Sequence, residues 1–96
     1  MILEILRFKL SPGADEAAFL QADKRVQTEF AYQQPGLIRR TTARRDDGSW
    51  VVIDLWQSQA DAEHCDAAWQ GDPNAAEFML HVDPTSVTTE RFETLD

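Results

Sequence analysis

The stretch Trp50-Val51-Val52-Ile53-Asp54-Leu55-Trp56 constrains this chain more than any other. Side chains alternate along a strand, so Val51, Ile53 and Leu55 share one face while Trp50, Val52, Asp54 and Trp56 share the other. Both faces are largely apolar, and a strand of that kind normally lies between two covering layers. Helices of the same chain supply one layer. In 96 residues the second comes most simply from a partner subunit, with the chain's own loops as the alternative.

Ninety-six residues make one domain over 1–96, and a chain of this size buries roughly 60–65% of its unfolded surface. No uninterrupted apolar run approaches the roughly 20 residues that span a bilayer, so no membrane segment is expected. Met1-Ile2-Leu3-Glu4 lacks the charged start and apolar centre of a signal peptide, and export is not expected. Cys65 is alone, which excludes an intrachain disulfide and fits a reducing cytoplasm. The formal net charge of −8 argues against nucleic acid as a partner, because phosphates require a basic surface.

Ile2 to Leu10 reads as a strand, with Ile2, Glu4, Leu6, Phe8 and Leu10 on one face; Ser11-Pro12-Gly13 breaks it. From Asp15 to Gln33 the period turns helical: Phe19, Ala22, Val26 and Phe30 form one apolar stripe, and Asp23, Lys24, Gln27 and Glu29 fall away from it. Asp15 caps the start and Pro35-Gly36 stops the end. A second strand runs from Leu37 to Arg45. Asp47-Gly48 signals a two-residue hairpin turn, which would pair Arg45 with Trp50, Ala43 with Val52, Thr41 with Asp54 and Arg39 with Trp56. Arg39, Arg40, Arg44 and Arg45 then face solvent or an interface on an edge strand; an anionic-ligand site is the sharper alternative. Ser58 with Asp61 approximates a capping box for a helix whose inward stripe is Ala62, Cys65, Ala68 and Trp69. Gly71 ends that helix and Asp72-Pro73 starts another, with Ala76, Met79 and Leu80 as its buried face, before Asp83-Pro84 ends it. The last strand runs from about Ser86 to Thr94.

Strand, helix, strand, strand, helix, strand folds most simply into an α+β, ferredoxin-like βαββαβ unit. Its four antiparallel strands take the order 4-1-3-2, with the helices on one face. The two-sided apolar strand marks the need to cover the other.

Gln34-Pro35-Gly36-Leu37, then Trp50 to Ser58, then Ala60-Asp61-Ala62 resemble the antibiotic biosynthesis monooxygenase-like family, and the likeness spans roughly residues 2 to 94. The resemblance implies a dimeric α/β barrel, in which two ferredoxin-like subunits form a homodimer sheet face to sheet face. It also implies oxidation of quinol-like or polyketide aromatics by molecular oxygen with no metal, flavin or other cofactor. A related branch degrades haem with an Asn on the first strand and a Trp and a His further on. Trp69 and His81 match that pair loosely, at a longer separation, while the first strand offers Leu6 or Arg7 in place of the Asn. That departure argues against haem degradation.

His81 is one catalytic candidate: imidazole titrates near pH 6.5 and suits proton abstraction from a phenol or quinol. The blander reading, a helix C-terminal residue favoured by the dipole, fits its position better. Glu4 and Asp54 are acids embedded in apolar strands that the 4-1-3-2 order makes neighbours. Arg39 or Arg91 can neutralise one of them; an unpaired acid in a cavity is instead a base. Trp69 and Trp56 are either core or the walls of an aromatic pocket, and the Tyr32 hydroxyl can reach its rim. His64 points outward. No metal-ligand spacing, Gly-rich phosphate loop or nucleophile motif is present. The resemblance therefore implies a cofactor-independent monooxygenase acting on a small aromatic or quinol. A non-catalytic small-molecule-binding or assembly module on the same fold is the alternative.

Overall fold

The order of elements follows from where the chain alternates, where it turns helical and where it breaks. In the computed structural model, which describes residues 1–96, β1 is Ile2–Lys9, α1 Glu16–Arg25, β2 Leu37–Arg44, β3 Ser49–Trp56, α2 Gln59–Trp69, α3 Pro73–Leu80 and β4 Thr88–Glu93. The four strands form one antiparallel sheet in the order β2-β3-β1-β4, the ferredoxin-like arrangement expected. The helices cover one face, called the inner face below. No helix is long and apolar enough to cross a membrane.

Local chemistry sets most boundaries. The Asp15 side chain accepts from the Ala17 N–H, Ser58 from that of Asp61 and Asp72 from that of Ala75, so each helix starts at an oxygen that satisfies an otherwise orphaned donor. Past α1 the chain continues as a π-helical turn at Val26–Phe30 and a 3-10 turn at Ala31–Gln33. The Thr28 hydroxyl donates to the Lys24 carbonyl beside that widened turn. Gly36 then reverses the chain with φ +82° and lies so close to Asp61 that a β-carbon there would overlap the carboxylate. The inward stripe of Phe19, Ala22, Val26 and Phe30 is buried as expected. Phe8, Phe19 and Phe78 meet edge-on or tilted at the centre, with ring centroids 5.2–5.8 Å apart.

The β2–β3 hairpin departs from expectation. Its loop has three residues, Asp46, Asp47 and Gly48: the Arg45 N–H donates to the Ser49 carbonyl at 2.8 Å and the Gly48 N–H to the Arg45 carbonyl at 3.1 Å. Only Gly48 takes a positive φ there, +88°, whereas a two-residue type I′ turn needs one at Asp47 as well. Ser49 favours the longer loop. Its hydroxyl and backbone N–H both donate to the Asp47 carboxylate, which holds that carboxyl below its usual range.

The added residue slides the register by one. Arg44, rather than Arg45, pairs with Trp50; Ala43 pairs with Val51, Thr41 with Ile53, Arg40 with Asp54 and Arg39 with Leu55, before an irregularity at Ile38 returns Leu37 to Trp56. A one-residue slip exchanges the faces of a strand. Arg40 and Arg44 thus turn to the inner face, and Arg40 is only 6% exposed, not a solvent- or interface-facing residue. Arg44 instead of Arg45 stacks its guanidinium on Trp50, 5.7 Å from the ring centre.

Three other expectations are corrected. Asp23, expected to fall away from the core, is buried, because the inward-turned Arg40 needs a counter-charge. In α3 the buried residues are Ala75 and Phe78 with Met79 packed beside them, while Ala76 is exposed and Leu80 is 80% exposed. The helix starts at Pro73 as expected, yet the stripe that meets the core lies one position earlier. The last strand is also shorter than the sequence suggests, since Pro84–Ser86 forms a 3-10 turn capped by Asp83.

Candidate functional site

One row of side chains crosses the whole inner face. Arg40 on β2 is opposite Asp54 on β3, Asp54 is opposite Glu4 on β1, and Glu4 is opposite Arg91 on β4. The charges run plus, minus, minus, plus. A cavity of about 250 Å³ lies over the row, between the sheet and the helices. Fourteen of its nineteen lining residues are hydrophobic, so its polarity comes from Glu4, Arg40, Asp54, Asp66 and Thr89. Leu6, Phe8 and Val52 form the sheet side beside the row; Val26 and Phe30 of the π-helical turn, Cys65, Trp69 and Phe78 form the helix side. Trp69 stands edge-on to Phe30 and Phe78, at 5.4 and 5.7 Å.

The two arginines do different things. Arg91 donates from Nε to Glu4 Oε2 at 2.6 Å and from Nη2 to Asp66 Oδ2 at 2.6 Å, tying β4 to β1 and α2. Arg40 turns away from its sheet neighbour. Its Nη2 donates to Asp23 Oδ1 at 2.7 Å and its Nη1 to Gln27 Oε1 at 3.3 Å. Asp23 Oδ1 also accepts from the Thr42 hydroxyl at 2.9 Å. Asp54 is left without a hydrogen-bonded cation, and its Oδ1 is buried with no partner. Burial above all raises the Asp54 carboxyl to about 7, against the pull of Arg40 and with added push from Glu4 and Asp23.

Trp56, two residues further along the same face, has a buried Nε1–H with no acceptor and also lines the cavity. An unpartnered acceptor and an unpartnered donor therefore share the wall of an apolar chamber. Buried polar groups are nearly always satisfied, and each exception calls for a reason such as strain, a catalytic role or a bound water or ion.

Of the residues singled out in the sequence, Glu4, Asp54, Trp56 and Trp69 meet at this cavity. His81 and Tyr32 are not in its wall. His81 caps the C-terminus of α3, its ring 6.3 Å from that of Phe19 and its carbonyl accepting from the Ser11 N–H. The Tyr32 hydroxyl accepts from the Arg40 backbone N–H at 2.9 Å, which fastens the end of the first helical segment to β2. His64 is exposed. The Glu4 partner is Arg91, one of the two arginines considered, while Arg39 pairs across from Leu55 on the opposite face. Sequence reasoning misses Asp23 and Arg40; the available signal is Asp23 adjoining Ala22 in the buried stripe. No group of three or more His, Cys, Asp or Glu side chains is arranged to hold a metal ion. Burial, reinforced by Asp54 and Glu4, pushes the Cys65 thiol up to about 12, which keeps it neutral and a poor nucleophile or ligand.

No family model matches the chain. No curated protein matches it either. Solved structures do. A mutant form of SnoaB, a cofactor-independent oxygenase from Streptomyces nogalater, is similar over 99% of this chain and 93% of its own, with 22% identity and a TM-score of 0.80. An antibiotic biosynthesis monooxygenase structure matches over 100% of both chains at 17% identity and a TM-score of 0.75. Rv0793 from Mycobacterium tuberculosis matches over 99% of this chain and 95% of its own, at 17% identity and a TM-score of 0.71. Along its whole length the chain has the fold of the antibiotic biosynthesis monooxygenase structures, the family that its motifs resemble.

Proposed function

We propose that the cavity binds a small hydroxylated aromatic, that Asp54 removes its proton, and that the resulting anion reacts with molecular oxygen without a metal or flavin. The observation that carries this reading is the pair of unpartnered polar atoms, Asp54 Oδ1 and Trp56 Nε1, in one largely apolar wall. A phenol ionises near pH 10. Passing its proton to an ordinary aspartate is uphill by about 8 kcal/mol, but by only about 4 kcal/mol for a carboxylate that titrates near 7. The Trp56 N–H can donate to the phenolate oxygen as charge develops there. Trp69, edge-on at the rim of the aromatic cluster, walls the flat substrate. An apolar cavity of about 150 Å³ holds benzene, so this one, at about 250 Å³, has room for a larger fused-ring aromatic.

For an anthrone-like substrate the balance is a ring methylene plus dioxygen giving a ring ketone plus water. The anion gives its electrons to oxygen, a carbon–oxygen bond forms, and the peroxide O–O bond breaks as water leaves with the second proton. A purely binding role would be favoured by a cavity filled with side chains; an open one reaching two acids favours chemistry. The similarity to a cofactor-independent oxygenase supports the same reading.

The protein works, in this reading, as a homodimer through the outer face of the sheet. Leu3, Ile5, Val51, Ile53 and Leu55 stand there half-buried, with Phe92 46% exposed beside Leu3. Sedimentation showing a monomer at micromolar concentration would remove that part.

The direct test is oxygen uptake by metal-stripped protein against a panel of hydroquinones and anthrone-like phenols. Asp54→Asn should lower turnover by about 10²–10⁴-fold, the usual weight of a general base, while His81→Ala stays near the wild type. Uptake that survives Asp54→Asn but falls in His81→Ala would move the base to His81.

A further inference from the structure

We propose that Glu4 and Asp54 form a carboxyl dyad holding one proton, in which Arg91 keeps Glu4 as the anion and the proton resides on Asp54. Glu4 is then a positioning residue that sets the basicity of Asp54. The positioning role rests on Asp54 being the proton acceptor; the dyad itself does not.

Glu4 and Asp54 are direct cross-strand partners on one face, where opposed β-carbons stand roughly 4.5–5.5 Å apart and like charges repel. Two carboxylates that close, away from bulk water, do not both ionise readily. Which one keeps the proton depends on the cations. Arg91 is hydrogen-bonded to Glu4 at 2.6 Å, whereas Arg40 spends its donors on Asp23 and Gln27. The remaining charged or titratable groups facing Asp54 are Asp23 from α1 and Cys65 and Asp66 from α2; Asp23 favours its protonated form. Nothing on the sheet or the helices offers Asp54 a cation comparable to the one Arg91 gives Glu4. The raised titration of Asp54, to which Glu4 contributes, agrees.

Carbon-13 carboxyl NMR of Asp- and Glu-labelled protein, titrated from about pH 4 to 9, reads the dyad without any substrate. Coupled sites share their macroscopic steps, so the Glu4 signal should move at the Asp54 midpoint in the wild type. Glu4→Gln should lower that midpoint by about one unit or more. Arg91→Gln should raise it, because Glu4 then lacks its counter-charge. Were a substrate in hand, the acid limb of the rate profile would shift in the same two directions, and the high-pH plateau of kcat would fall in Glu4→Gln, whose less basic Asp54 is a weaker proton acceptor. A Glu4 signal that ignores the Asp54 step, or an Asp54 midpoint unmoved by Glu4→Gln, would overturn the dyad. The wild-type titration decides even if a variant fails to fold. Loss of the dyad would leave the Asp54→Asn effect on oxygen uptake standing, and absence of uptake would leave the titration result standing.

Discussion

The two ends of the charged row begin alike and finish differently. At each, an arginine on an outer strand is the direct neighbour of an acid on an inner one: Arg91 beside Glu4, Arg40 beside Asp54. Arg91 binds its neighbour and reaches on to the exposed Asp66. Arg40, whose side chain is 4% exposed, is claimed by Asp23 from the helix above. The lesson is that adjacency in a sheet does not decide pairing. The guanidinium fork goes to the carboxylate that completes its geometry, and a helix standing over the row can withdraw the cation from an acid below. Glu4 is thereby a structural anion, and Asp54 an acid with a cavity in front of it.

The largest effect that could break this contrast is the pH dependence of stability through Asp54. Its carboxyl is raised to about 7 in the folded protein and ionises near 3.9 in the unfolded chain. Between those values the folded state holds the extra proton. Stability is then greatest below about pH 4 from this group, and falls as pH rises toward 7, by up to about 4 kcal/mol in total. Asp54→Asn removes that slope. Urea unfolding at several pH values should show the variant gaining on the wild type as pH rises, with the gap complete above about pH 7. Parallel curves would mean that Asp54 is an ordinary ion-paired carboxylate, like Glu4.

Most of the fold is legible in the sequence, and the reasons lie in particular residues. The two-sided apolar run at 50–56, the Phe19–Phe30 stripe and the caps at Asp15, Ser58 and Asp72 all act locally, within one or two turns of chain. The acids of the site are visible for the same reason: Glu4 and Asp54 break apolar strands, and the strand order makes them neighbours. The rest is decided at longer range. Asp47-Gly48 suits a two-residue and a three-residue loop equally well, and Ser49 bonding back to Asp47 selects the longer one. That single choice decides which arginines face inward. From sequence Arg40 therefore looks like a surface residue, and Asp23, whose burial only Arg40 explains, looks like a polar flank. His81 ends α3, but its place relative to the cavity depends on how α3 packs, which no local pattern encodes.

Removing the outer carboxylate at each end sharpens the comparison at smaller cost. Asp23→Asn leaves Arg40 buried without its counter-ion, and breaking a buried pair usually costs about 3–5 kcal/mol. Here the cost should lie near the bottom of that range, about 3 kcal/mol. Asparagine keeps an oxygen for Arg40 and Thr42, and Asp54 stands ready as the replacement anion. That replacement has its own signature: with Arg40 swung onto it, Asp54 should lose much of its raised titration, and its NMR midpoint should fall. Asp66→Asn is the matched change at the other end. Asp66 is 59% exposed and Glu4 retains Arg91 without it, so the loss should be about 0–1 kcal/mol. Equal costs at the two ends would show that burial does not separate the arginines. An Asp54 midpoint unmoved by Asp23→Asn would show that Arg40 was never the cation withheld from it.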